Sequence, residues 1–148
     1  MMINEAPLTK KRKQELFNIC ANHLIKQAKH SVQMKENAVG MLVLYCQYRG
    51  PNGLQCAAGP LIPSSKYNPS MEGGSIRAIQ NQIGISDHEA AFVFEIQVIH
   101  DSGTSTTPKA FEATRADLVR LWPGALRTLA EKHGLIMVDV PSDWAPKD

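Results

Sequence analysis

Cys56, His100 and Asp101 are the residues of this chain whose types together could drive a covalent reaction. In such a set a thiolate attacks, an imidazole takes its proton, and a carboxylate orients the imidazole. Cys46 is a second candidate nucleophile. One part of the set is disfavoured by spacing. Adjacent residues of a helix project about 100° apart, so His100 and Asp101 are not expected to pair with each other. Each also has a structural reading: a buried free cysteine behaves as a small hydrophobe, and a histidine at a helix C-terminus is favoured there by the dipole. Cys46, Cys56, His88 and His100 form no recognised zinc-ligand spacing, so neither a metal site nor a cofactor is expected.

A second set, Tyr48, Arg49, Lys66, Tyr67 and Glu72, has the chemistry of a binding site. The tyrosines offer stacking faces, Arg49 offers a fork for a phosphate or carboxylate, and Glu72 offers an acceptor for a base or ribose. A nucleotide-like ligand suits these groups, and so does a protein partner, because tyrosine and arginine dominate binding hot spots. The structural alternative is that Arg49 pairs with Glu72 and fixes the loop.

These residues must be positioned by the stretch Tyr45 to Gly74, where glycines, prolines, tyrosines and two of the three cysteines concentrate. Met41 to Cys46 reads as a strand, Gly50-Pro51-Asn52-Gly53 as a reverse turn, and Leu54 to Gly59 as the returning arm of a hairpin. That register would put Cys46 and Cys56 on opposite arms, close and unoxidised. Ala57, Ala58 and Gly59 leave room for a packed helix or for a ligand approaching the backbone.

Around this stretch stand the helices. Thr9 caps an amphipathic helix from Lys10 to His30, with Cys20 on its apolar stripe and the basic quartet Lys10–Lys13 in its solvated first turn. Ser31 to Gly40 reads as a polar connector. Ser75 to Gly84 is a short helix with Ile76, Ile79 and Ile83 inward. Ser86-Asp-His-Glu89 is a capping box that opens a buried helix and delivers His100 and Asp101 at its end, where Gly103 releases the chain. Ser102 to Thr107 is expected to be mobile. Ala116 to Leu121 starts a further helix, Pro123 begins its successor, and Leu135 to Val140 reads as a C-terminal strand. The fold expected is therefore α+β: a small antiparallel sheet, the central hairpin plus the C-terminal strand, covered by four or five helices. It forms one domain over 1–148, with 1–8 and 141–148 as loosely ordered tails.

The pattern Cys46-x-Tyr48-Arg49-Gly50, Gly53-x-x-Cys56-Ala57-x-Gly59, Leu61-Ile62-Pro63, Tyr67 and Met71-Glu72-Gly73 resembles a group of small uncharacterised proteins of bacteriophages and prophages. His23-Leu24, Gln27 and Gln97-x-Ile99-His100-Asp101 extend the resemblance. It implies a phage-borne origin but no settled biochemical role; that provenance and the polar set Tyr48, Arg49, Lys66, Tyr67 and Glu72 together support the expectation of interference with a host process such as antiviral defence. The chain departs from the group at Ser64-Ser65, where members carry an acidic residue or two. Its segment from Ser102 to Thr114 is also longer than theirs.

Composition bounds the remaining classes. The 148 residues are 43% hydrophobic, enough for one core, and a formal charge of +2 favours neither a polyanion nor a polycation partner. Without interleaved aromatics the Lys10–Lys13 cluster does not make nucleic acid the expected partner. No run reaches the roughly 18 apolar residues of a membrane span, and an odd number of cysteines suits a reducing, cytoplasmic setting. The reading is a binding protein for a nucleotide-like molecule or a host protein complex, not primarily an enzyme. A small cysteine-dependent hydrolase or transferase and an accessory nucleic-acid-binding protein are the alternatives, and the pattern permits an oligomer.

Overall fold

A computed structural model describes residues 7–102 and 107–147. Thr9 caps α1 (Lys10–Gln27), its hydroxyl accepting from the Arg12 N–H. Leu16, Phe17, Cys20, Ala21, Leu24 and Ile25 recur at helical spacing and are buried, and each of the larger ones contributes about 2 kcal/mol to docking. The basic first turn has a partner as well as solvent. Arg12 Nε donates to Glu89 at 2.6 Å, and Lys13 Nζ lies 3.2 Å from His133 Nδ1 and 5.7 Å from the Phe92 ring centre. Two of the four cations expected to be solvated thus fasten α1 to later helices, which offsets their unfavourable place at the dipole's positive end.

After Ala28, at φ 51°, the chain passes through buried His30 and Ser31 into β1 (Val32–Glu36), which pairs antiparallel with β2 (Leu42–Cys46), Val32 opposite Cys46. The Asn37 side-chain oxygen accepts from the N–H groups of Val39 and Met41 and closes the turn. The hairpin is therefore 32–46, and the expected polar connector Ser31 to Gly40 is its first strand and turn. Four of the five β1 residues are exposed, so burial never imposed the apolar alternation that would have marked a strand.

Gly50 to Gly53 turns as expected, with Asn52 at φ 58° and Gly53 at φ 78°. The returning arm Leu54 to Gly59 is not a strand, and its reason is chemical. Both backbone groups of Gln55 are taken by side chains of α1: its N–H donates to Gln27 Oε1, and its carbonyl accepts from Gln27 Nε2 and bonds the His23 ring. The C-terminal segment repeats the device. The Ile136 N–H donates to Gln14 Oε1 and its carbonyl accepts from Gln14 Nε2, so Leu135 to Val140 is extended but unpaired with either strand. A primary amide presents one donor and one acceptor side by side, which is what one residue of a neighbouring strand would present.

Three caps start the next helices. Ser75 begins α2 (Ile76–Ile83), a complete Ser86–Glu89 capping box begins α3 (Asp87–Asp101), and Thr107 begins α4 (Pro108–Arg120). α4 starts earlier than the expected Ala116, with Pro108 in its first turn. Trp122 is buried at the joint with α5 (Trp122–His133), which ends at Gly134. α3 was expected to be buried all round, yet Phe94 and Val98 are 47% and 49% exposed. The expectation for Gly103 and most of the Ser102 to Thr107 segment falls on 103–106, outside the described residues. Residues 141–147, expected as a loose tail, are tied down: Trp144 Nε1 donates to the Ile25 carbonyl and the Lys147 N–H to that of Ala28, satisfying the end of α1.

The class is α+β as expected: among the described residues a small antiparallel sheet stands with five α-helices, although the sheet holds only β1 and β2. Among the described residues no helix is long and apolar enough to cross a membrane.

Candidate functional site

The end of α3 meets the base of the hairpin through one connected set of hydrogen bonds. Gln97 faces the loop from α3; its Oε1 accepts from the Ala58 N–H and its Nε2 donates to Asp101 Oδ1 at 2.8 Å. His100 is fully buried, with Nδ1 2.7 Å from the same Asp101 oxygen, and its Nε2 accepts from the Ser31 N–H at 2.9 Å. The Ser31 hydroxyl then donates to the Gln47 carbonyl. The Cys46 thiol also donates to Asp101. His100 and Asp101 do pair, against the helical-spacing argument. Nδ1 lies one bond beyond Cγ, close to the backbone, and a short aspartate on the next residue reaches it.

The Ser31 N–H fixes the state of the imidazole. An N–H directed at Nε2 requires a lone pair there, so the proton sits on Nδ1 and is donated to Asp101. His100 is neutral. Burial alone would raise the Asp101 carboxyl, but the bonds from His100, Cys46 and Gln97 hold it below the usual carboxylate range.

Beside Asp101 opens a cavity of about 330 Å³. β2 contributes Leu44, Tyr45 and Cys46; the loop contributes Tyr48, Cys56, Gly73 and Gly74; α2 begins at its wall with Ser75 and Ile76; and α3 adds Phe94, Gln97 and Asp101. The Asp101 side chain keeps 39% of its exposure.

This geometry does not assemble the thiol relay. Cys56 is buried and burial pushes its thiol up, the opposite of nucleophile activation. His100 spends its single basic nitrogen on the Ser31 N–H, so it has none with which to take a proton from either cysteine. Cys20, read as core, is fully buried with its thiol pushed up to about 12. None of the three cysteines is in a disulfide. Ligand atoms of Cys46, His100 and Asp101 do lie within 4.8 Å of one another. A metal on Nδ1, however, would need the nitrogen that carries the proton, and the Ser31 N–H holds the ring in that tautomer. The donor set does not fit an ion as it stands.

The chain matches no family model, no curated protein and no solved structure.

Tyr48, Arg49, Tyr67 and Glu72 come together, as a clamp on the loop. The Glu72 carboxylate accepts from the Tyr48 and Arg49 N–H groups at 2.8 and 3.0 Å and from the Tyr67 hydroxyl at 2.6 Å. The Arg49 guanidinium donates to the Ile62 carbonyl and lies 5.3 Å from the Tyr67 ring centre. It does not pair with Glu72: the carboxylate is taken by the arginine's backbone. Tyr48 is buried and donates its hydroxyl to the Gly74 carbonyl, while exposed Lys66 stands apart, beside Gly84. Only Tyr48 of the five lines the cavity. The small residues are packing: a Cβ on Gly59 would lie 2.7 Å from the Tyr48 carbonyl oxygen.

His30, Ser31 and Gln47 belong to this region and were not singled out by the sequence reading. His30 is buried edge-on to His100, Phe111 and Trp122, with ring centres 5.0 to 5.3 Å away, and burial pushes its pKa down to about 3. Only the run His30-Ser31 between helix and strand could have signalled them, and polar residues at a junction read as connector.

Proposed function

We propose that this is a binding protein which holds a small ligand in the cavity between β2, the start of α2 and the end of α3, without turning it over. The observation that carries this reading is the neutral His100 locked between the Ser31 N–H and Asp101: from behind the cavity it fixes Asp101 on the wall while withholding the base a thiol enzyme needs. The volume is in the range of small-molecule sites. The resemblance to phage and prophage proteins supplies the setting, interference with a host process in the cytoplasm of an infected cell. A host protein complex as partner is the second reading, favoured by exposed Phe94, Val98 and Leu121 around the groove between α3 and α5.

Native mass spectrometry of protein purified from infected or lysogenic cells tests the first reading. A retained small mass is expected, and it should be absent from Leu44→Trp, whose added ring fills the cavity from β2. A mass equal to that of the bare chain, with no melting shift on adding a small-molecule cell extract, overturns it.

A further inference from the structure

The charge of the cavity is set by a short set of groups. Asp101 is the only carboxylate among the described lining residues, and these include no lysine, arginine or histidine. His100, Gln97 and Cys46 each donate to Asp101 as neutral groups, and these bonds delocalise its negative charge without cancelling it. The two helix ends nearby oppose one another, since α2 presents its N-terminus at Ser75 and Ile76 and α3 its C-terminus at Asp101. The described lining is therefore acidic at Asp101 and has no cationic side chain. Leu44 and Ile76 make other parts of that wall aliphatic, and Tyr45, Tyr48 and Phe94 bring aromatic rings.

Resting on the binding reading above, we propose that the ligand is a compact organic cation with an apolar or aromatic body, in the first place a primary amine. Its ammonium is held by Asp101 and its body by the rings of Tyr45 and Phe94. A carboxylate beside aromatic faces is the arrangement that favours an ammonium, through a charge-assisted hydrogen bond on one side and the ring quadrupoles on the other. A carboxylate or phosphate in the same place would meet Asp101 with no cationic side chain among the described lining residues to offset the repulsion. The reading thus differs from a nucleotide site in the sign of the charge it selects. Nucleotide phosphates would be repelled from this cavity.

The test uses three probes with one body and three charges: benzylammonium, benzyl alcohol and benzoate, titrated into the isotopically labelled full chain at neutral pH and followed by amide shifts. Saturable shifts confined to 44–48, 73–76 and 94–101 are expected for benzylammonium. Its affinity should exceed that of benzyl alcohol by about tenfold, the scale of one charge-assisted contact, with benzoate weakest. Asp101→Asn, which keeps a carbonyl oxygen facing His100 Nδ1, should remove the preference, so that benzylammonium and benzyl alcohol bind the variant alike. Equal affinities for all three probes, or tightest binding of benzoate, overturn the cation assignment while leaving the binding cavity standing. Failure of all three to shift the cavity residues overturns both. Should Asp101→Asn prove unstable, the order of the three probes on the wild type decides the matter by itself.

Discussion

Two carboxylates of this chain each collect three protein donors, and they do opposite things with them. Glu72 accepts from two successive backbone N–H groups and a tyrosine hydroxyl, all within the loop it closes. Asp101 accepts from two side chains of its own helix and the thiol of β2, and keeps a face on a cavity. Backbone donors cannot turn away without unfolding the loop, so the Glu72 contacts are structural. Side-chain donors leave the backbone independent of the acid, and Asp101 keeps 39% of its side-chain exposure on the cavity wall. A motif rich in rare residues can therefore be mostly scaffold, with the chemistry standing at its border.

At neutral pH, removing Glu72 should show the largest effect. Glu72→Ala strands the Tyr48 and Arg49 N–H groups and the Tyr67 hydroxyl, and should lower stability by about 3 kcal/mol, the sum of two or more unsatisfied donors. Denaturant melts check it. A loss no greater than that of Asp101→Asn would erase the distinction between the two acids.

An acid titration of stability probes the Asp101 side through His30, which packs on His100. Its folded pKa of about 3 lies below the unfolded value near 6.5, so the unfolded chain binds the proton first. Stability from the neutral ring is full above the unfolded value and falls as pH drops through the window between the two, by about 1.4 kcal/mol per pH unit. His30→Phe, which fits among Phe111, Trp122 and His100 without a titrating group, should flatten that limb. An unchanged acid limb in the variant would show that His30 is not the group responsible.

The smallest stability effect is expected for Asp101→Asn, at about 1 kcal/mol or less, because an amide oxygen can still accept from the His100 N–H. Urea midpoints of this variant and of Glu72→Ala, measured side by side, give the comparison its scale.

Much of the helical fold was legible. Thr9, Ser75 and the Ser86–Glu89 box begin helices where the sequence places caps, Gly84 and Gly134 end them, and Ile76, Ile79 and Ile83 are buried as their spacing requires. Helices carry their signals locally, in caps and in a repeat of 3.6 residues. The site was legible only in part. Cys46, Cys56, His100 and Asp101 were singled out and do converge on one region, but the pairing of His100 with Asp101 was missed, and the binding set was centred on the clamp.

What the sequence by itself determined, then, was composition, caps, apolar faces and the irregular, non-helical character of 54–56 and 135–140, while 57–59, expected to continue the arm, turn into a 3-10 helix. What only the tertiary structure decided was what those extended segments bond to. Gln27 and Gln14 of α1 occupy the backbone of Gln55 and Ile136 where a strand was expected. β1, mostly exposed, supplies the partner for β2. An extended chain has the same local preferences whether its N–H and carbonyl meet a strand or an amide side chain. Its partner is set by a helix about thirty residues away in one case and more than a hundred in the other. The charge state of His100 is decided in the same way, by a backbone N–H contributed from Ser31.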